Sequence, residues 1–223
     1  MMHIDADDER GRRKAVRFVG VTGGVGAGKS EVLGFLAKQP GCRVMLADEI
    51  AHELMEPGNE VYRKLCAEFA GEDIFAEEDT AGEAERPFDR GKLAQVIFGD
   101  EEKRKRLNAI VHPAVKDYVI QQAESERERG QLTLLVLEAA LLIEEHYDEI
   151  CDELWYIYTS EEVRRQRLIA SRGYSDAKID QIFASQLKED TYRKYCQVVI
   201  DNNGDWDITR KQLEKALRRK ADE

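Results

Sequence analysis

The sequence predicts an α/β fold in which a parallel five-stranded sheet is flanked by helices. Three observations predict it. Short runs rich in valine, leucine and isoleucine alternate along the chain with segments of helical period. Those runs are apolar at nearly every position, the pattern of strands covered on both faces. The first run ends in a glycine-rich loop that opens directly into a helix.

The first strand is expected at Val16–Thr22, ending in Gly23-Gly24. Over Lys29–Gln39 the residues Val32, Leu33, Leu36 and Ala37 recur at helical spacing, and Pro40-Gly41 stops that helix. Arg43–Ala47 reads as the second strand. Helical patterns follow at Asp48–Met55, Glu60–Phe69, Asp89–Phe98 and Glu101–Gly130. The last of these is predicted to break before Pro113, because a proline disfavours helical dihedrals in the residue before it. Leu132–Leu137, Glu153–Tyr158 and Val198–Asp201 are the remaining strands. Helices are expected at Glu161–Ser171, Asp176–Leu187 and Trp206–Ala221.

The helical stretch at about 59–130 exceeds an ordinary crossover and reads as an inserted, acceptor-binding subdomain. The rest of a domain spanning 17–223 is a core of about 17–58 and 131–223, with a helical lid at about 161–190. Residues 1–16 balance four acids with four bases and read as a charged tail. Residues 73–87 are acidic and poor in apolar side chains, the composition of a mobile excursion.

The chain has 223 residues, with 34 Lys+Arg against 45 Asp+Glu, a net charge of −11. The charge is uneven. Residues 68–89 carry nine acids against Arg86 alone, and residues 144–153 carry six acids and no base, which leaves the remainder at +3. A coat for nucleic acid or for an anionic membrane is disfavoured, whereas a compact basic site for a small polyanion is not. Cys42, Cys66, Cys151 and Cys196 are too scattered for a zinc site. The longest apolar run, around Leu132–Ile143, is interrupted by Glu138 and too short to span a bilayer, and no cleavable leader is visible. These features predict a reduced, cytoplasmic protein. Nothing in them speaks to oligomeric state.

Gly23-Gly24-Val25-Gly26-Ala27-Gly28-Lys29-Ser30 fits G-x-x-x-x-G-K-[ST] between a strand and a helix, the context of a phosphate loop. Glycines let backbone N–H groups converge on a phosphate at the positive end of a helix dipole. Lys29 is placed for the β- and γ-phosphates and the Ser30 hydroxyl for Mg²⁺. The sheet is therefore of the P-loop NTPase type, with a nucleoside triphosphate as ligand. A GTPase would need an N-K-x-D element, and none occurs. A motor would carry an acidic pair closing an apolar strand, where only Glu138 stands. A small-molecule kinase needs a base, an acceptor pocket and closing arginines, and all have candidates. Asp48 follows the second strand, placed either to take a proton or to cap the next helix. Arg164, Arg165, Arg167 and Arg172 crowd one helix before Gly173. They suit a phosphate-facing lid, although for Arg164 and Arg165 a solvated face with Glu161 and Glu162 is the simpler reading.

From Phe18 to Gly204 the chain resembles the dephospho-coenzyme A kinases. The run Gly20–Ser30 is similar to that family's opening motif. Ala47-Asp48-Glu49-Ile50-Ala51-His52 with Glu56-Pro57-Gly58 resembles the second. Arg90, Leu93 and Ile97-Phe98 follow in order, then Leu107–Pro113, Leu141-Leu142 with Glu144, Arg167, Gln186, and Val199–Gly204. The resemblance implies transfer of the ATP γ-phosphate to the 3′-hydroxyl of dephospho-coenzyme A, with Asp48 as base. It implies that Gly24, Val25, Gly26, Ala27, Gly28, Lys29 and Ser30 handle phosphate, with Arg167 and Arg172 from the lid and Asn202 and Asn203 near the adenine. Arg90 and His112 would face the acceptor, although His112 before Pro113 also fits a packed histidine at a helix start. Two alternatives remain open: a P-loop kinase of another small hydroxyl acceptor, and a non-catalytic nucleotide-binding regulator.

The chain departs from the family pattern at three points. Leu46-Ala47-Asp48 stands where the family has D-A-D, and Ala140 stands where proline precedes the Leu-Leu pair. Arg167 and Arg172 lie five apart where four is usual. Leu46 removes a carboxylate from one strand end while Glu138 supplies one at the next, which makes Glu138 a candidate to hold a Mg²⁺-bound water.

Overall fold

The computed structural model describes residues 16–76 and 86–219. The expected tail, apart from Val16, and the centre of the expected acidic excursion lie outside the described residues. Five parallel strands form one sheet in the order β2-β3-β1-β4-β5. They are β1 (Arg17–Thr22), β2 (Cys42–Leu46), β3 (Leu134–Glu138), β4 (Glu153–Tyr158) and β5 (Val198–Asp201).

Alternate residues of each strand feed two separate cores, as the period of two requires. Phe18, Leu135, Leu137, Leu154 and Tyr156 face one side. There they meet α2 (Ala47–Leu54), α3 (Glu60–Glu68), α4 (Arg90–Ile97), α5 (Glu101–Arg129) and α8 (Glu189–Tyr195). Val19, Val21, Val136, Trp155 and Ile157 face the other side, under α1 (Lys29–Leu36) and α9 (Trp206–Arg218). Between these lie α6 (Glu161–Arg172) and α7 (Asp176–Ala184), which pack on each other beyond the carboxyl edge of the sheet.

Adjacent strands β1 and β3 send their chains to opposite faces. From β1 the chain enters α1, whereas the segment after β3 buries Ala139, Leu142, Ile143 and Tyr147 in the α5-side core. A crevice therefore opens at their carboxyl ends, the usual ligand position in such sheets. No helix among the described residues is long and apolar enough to cross a membrane.

Three expectations are corrected. First, α5 runs unbroken through Pro113. Proline frees only the Ala109 carbonyl, and Ala109 and Pro113 both lie on the exposed side, where that carbonyl is open to solvent. Val111, Val115 and Val119 on the opposite side stay buried and hold the helix in register. Second, the helix expected over Asp176–Leu187 ends at Ala184, where Ser185 Oγ donates to the Ile182 carbonyl at 2.8 Å in competition with the helix. The separate α8 then follows, with Glu189 and Asp190 in its first turn and Arg193 and Lys194 in its last. Third, β3 starts and ends later than expected, so Glu138 is its last residue.

Candidate active site

The phosphate loop leaves β1 at Thr22 and ends at Gly28, the N-cap of α1, whose φ of 86° is a left-handed conformation that favours glycine. A loop that turns its N–H groups inward must have its carbonyls satisfied from behind. The structure provides these donors. Asn202 Nδ2 donates to the Ala27 carbonyl at 2.8 Å, and Thr159 Oγ1 lies 3.1 Å from it. Arg164 Nε donates to the Val25 carbonyl at 2.8 Å. Lys29 Nζ donates to the Gly23 carbonyl at 2.7 Å. Asn202 is 2% exposed, and its Oδ1 accepts from Thr209 Oγ1 at 2.9 Å, so its side chain is committed to this support. Asn203 Oδ1 accepts from the Ser160 N–H, and its amide donates to Asp201.

Lys29 Nζ also lies 3.5 Å from Glu138 Oε1. Glu138 sits opposite Val21 of β1 and Leu46 of β2 in register. The sequence therefore correctly anticipated that Glu138 would stand beside the strand end that Leu46 deprives of a carboxylate. Burial raises the Glu138 carboxyl above its ordinary range; Lys29 opposes the rise, and the negative charge of Asp48 adds to it. Asp48 lies in the first turn of α2, whose N-cap is Leu46 with no side-chain capping bond. The alternative in which Asp48 caps that helix does not occur, and its exposed carboxylate faces a cavity.

That cavity, of about 300 Å³, lies between α2, α5 and the segment after β3. Asp48, His52, Met55, His112, Leu141 and Glu145 are among its walls. His112 Nδ1 lies 2.7 Å from Glu145 Oε1, and Lys116 Nζ donates to the Glu145 carbonyl at 2.9 Å. His112 is thus inside a helix and paired with a carboxylate, not at a helix start. Arg90 opens α4 with an exposed side chain and is not among the cavity's lining residues.

Among the α6 arginines, Arg167 donates to the Asn202 carbonyl at 2.8 Å and reaches the Ala27 carbonyl at 3.5 Å. Arg172 is exposed at the end of α6, against the Tyr174 ring. Arg165 bridges Asp176 and Asp180 of α7. The solvated-face reading of Arg164 is overturned, because this residue is 9% exposed and lies against the phosphate loop. The signal for it was present: Arg164 precedes Arg167 and Leu168 by three and four residues, which puts all three on one stripe of α6. Thr159 and Glu145 had no motif to mark them.

The Ser30 hydroxyl is exposed in the first turn of α1, with the Glu138 carboxylate across the loop on Lys29. Among the described residues no group of three or more His, Cys, Asp or Glu side chains is placed to hold a metal ion alone.

A family model described as dephospho-CoA kinase matches residues 17–207. A dephospho-CoA kinase of Shouchella clausii is 37% identical over 205 residues, covering 92% of this chain and 99% of that one. A crystal structure of a Thermus thermophilus protein superposes with a TM-score of 0.71 at 26% identity, covering 92% of this chain and 97% of that one. A dephospho-CoA kinase from Campylobacter jejuni superposes with a TM-score of 0.66 at 21% identity, covering 90% and 95%, a likeness of fold.

Proposed function

The chain belongs to the dephospho-CoA kinase family, and on that premise we propose how its own residues carry phosphate from ATP to dephospho-CoA. ATP lies on the Gly23–Ser30 loop. Lys29 exchanges its bond to the Gly23 carbonyl for the β- and γ-phosphates, and Arg167 adds a second positive charge from α6. Asn202 acts on the nucleotide through the loop it supports, and Asn203 lies at the adenine side. Arg172 closes with the lid, formed by α6 and α7.

Dephospho-CoA occupies the cavity between α2, α5 and the segment after β3, to which the 59–130 acceptor segment contributes the α5 wall. Its 3′-hydroxyl sits at Asp48, His112 contacts it deeper in the cavity, and Arg90 meets it at the outer rim. Asp48 takes the hydroxyl proton as the oxygen bonds to the γ-phosphorus, and the bond from that phosphorus to the β,γ-bridging oxygen breaks, leaving ADP with the electron pair. The Ser30 hydroxyl, and Glu138 through a water, are the residues that would hold a magnesium ion beside the phosphates. When bound, it neutralises charge on the β- and γ-oxygens. The substrates fit a cytoplasmic enzyme.

The observation that carries this reading is Asp48, whose carboxylate opens on the His112 cavity while sharing the electrostatic field of Glu138 and Lys29. Incubation with Mg-ATP and either dephospho-CoA or a nucleoside and nucleotide panel tests it. Transfer is expected to dephospho-CoA alone, and Asp48→Asn is expected to slow turnover by about 10²- to 10⁴-fold. Near-normal turnover by that variant would remove Asp48 as the base.

A further inference from the structure

Arg164 is a buried guanidinium whose hydrogen-bond partners are neutral. Its Nε donates to the Val25 carbonyl at 2.8 Å, and its Nη2 donates to Gln186 Oε1. Its Cζ stands 4.3 Å from the centroid of the Phe183 ring. On the opposite side it lies against Gly24 so closely that a Cβ added there would collide with the guanidinium. One cation is thus held between the first half of the phosphate loop and the end of α7 with the turn that follows it. Burial of a positive charge is costly, and here it outweighs the attraction of Glu161 and lowers the pKa of this guanidinium. Behind a loop built to receive a polyanion, the charge has a use.

We propose that Arg164 is a positioning residue that joins the phosphate loop to the lid. It presets the Gly24–Val25 backbone for phosphate and transmits occupancy of the loop to α7 through Gln186 and Phe183. The planar fork is what makes this possible. Its Nε and Nη2 serve two partners in one plane while its face stacks on an aromatic ring, which a lysine cannot reproduce. ATP on the loop places negative charge close to the guanidinium, so the closed arrangement of loop, Arg164 and α7 is stabilised when the nucleotide is bound.

The inference rests on the loop being the ATP site, and Lys29→Ala tests that reading separately. If Lys29→Ala leaves the KM for ATP unchanged, the site assignment fails, whatever Arg164 does. For the inference itself, Arg164→Met is expected to raise the KM for ATP by about tenfold or more, the scale of a lost charge-assisted hydrogen bond, and to leave the KM for dephospho-CoA within about twofold. A role confined to folding would instead lower kcat through a smaller active fraction and leave both KM values where they were. That outcome overturns the proposal.

Gln186→Leu cuts only the lid arm. Hydrogen exchange with ATP, acceptor omitted, is expected to show α7 amides protected in the parent and not in this variant, with ATP binding retained. Equal protection in both, or none in the parent, overturns the coupling. Should Arg164→Met fail to fold, the exchange result decides alone.

Discussion

Glu138 is the residue at which one charge serves two states. It ends a buried strand, touches Lys29 and feels Asp48, and burial outweighs the lysine so that its pKa is raised. The folded protein therefore holds a proton at Glu138 to higher pH than the unfolded chain does. Across that interval the folded state binds more protons, so the contribution of Glu138 to stability is greatest below the ordinary carboxylate range and falls as pH rises through the raised value. Glu138→Gln is expected to remove this loss. Urea midpoints measured from acid to neutral pH should show the variant gaining on the parent as pH increases, and a constant difference would refute the assignment. If Glu138 holds the water of a magnesium ion, the same variant also needs more Mg²⁺ for half-maximal turnover. The sequence displayed the exchange of carboxylates between Leu46 and Glu138, because both end strands. It could not display the Lys29 contact, which requires β1 and β3 to be neighbours.

Among the elements, α5 shows how tertiary packing overrides a local rule. Pro113 should end a helix, yet buried valines on the far side of the same turns keep it continuous. The proline then costs a hydrogen bond without breaking the element. Pro113→Ala is expected to stabilise the protein by about 1–3 kcal/mol, part of the interior proline penalty, read as a higher midpoint in urea. An unchanged or lower midpoint would mean that α5 is fitted around its proline. The division of α7 from α8 was hidden for a related reason. Apolar residues continue at helical spacing through Leu187, and only a side chain returning to Ile182 marks the stop. The charge pattern of α8, acids first and bases last, is legible in the sequence.

At the scale of the whole molecule, the sheet separates two cores and its central strands belong to both. Leu137 of β3 is fully buried on the α5-side face, two residues from its neighbour in that core, Leu135. Leu137→Ala is expected to cost about 2–5 kcal/mol, seen as a lower urea midpoint, because the strand on which it sits cannot collapse into the void. A loss under about 1 kcal/mol would show that this face repacks. The amino-acid sequence by itself determined the fold class, the strand order along the chain, the phosphate loop and the likeness to a kinase family. Each of these is written in local periodicity or in contiguous motifs. Only the tertiary structure decided that Arg164 donates to the Val25 carbonyl while Arg165 bridges to α7, that Asn202 supports the loop from within, and that His112 pairs with Glu145 beside a cavity. Those facts join residues from 11 to 175 positions apart, and their reason lies in the sheet. By packing strands in an order different from that of the chain, it brings together side chains that no local pattern relates.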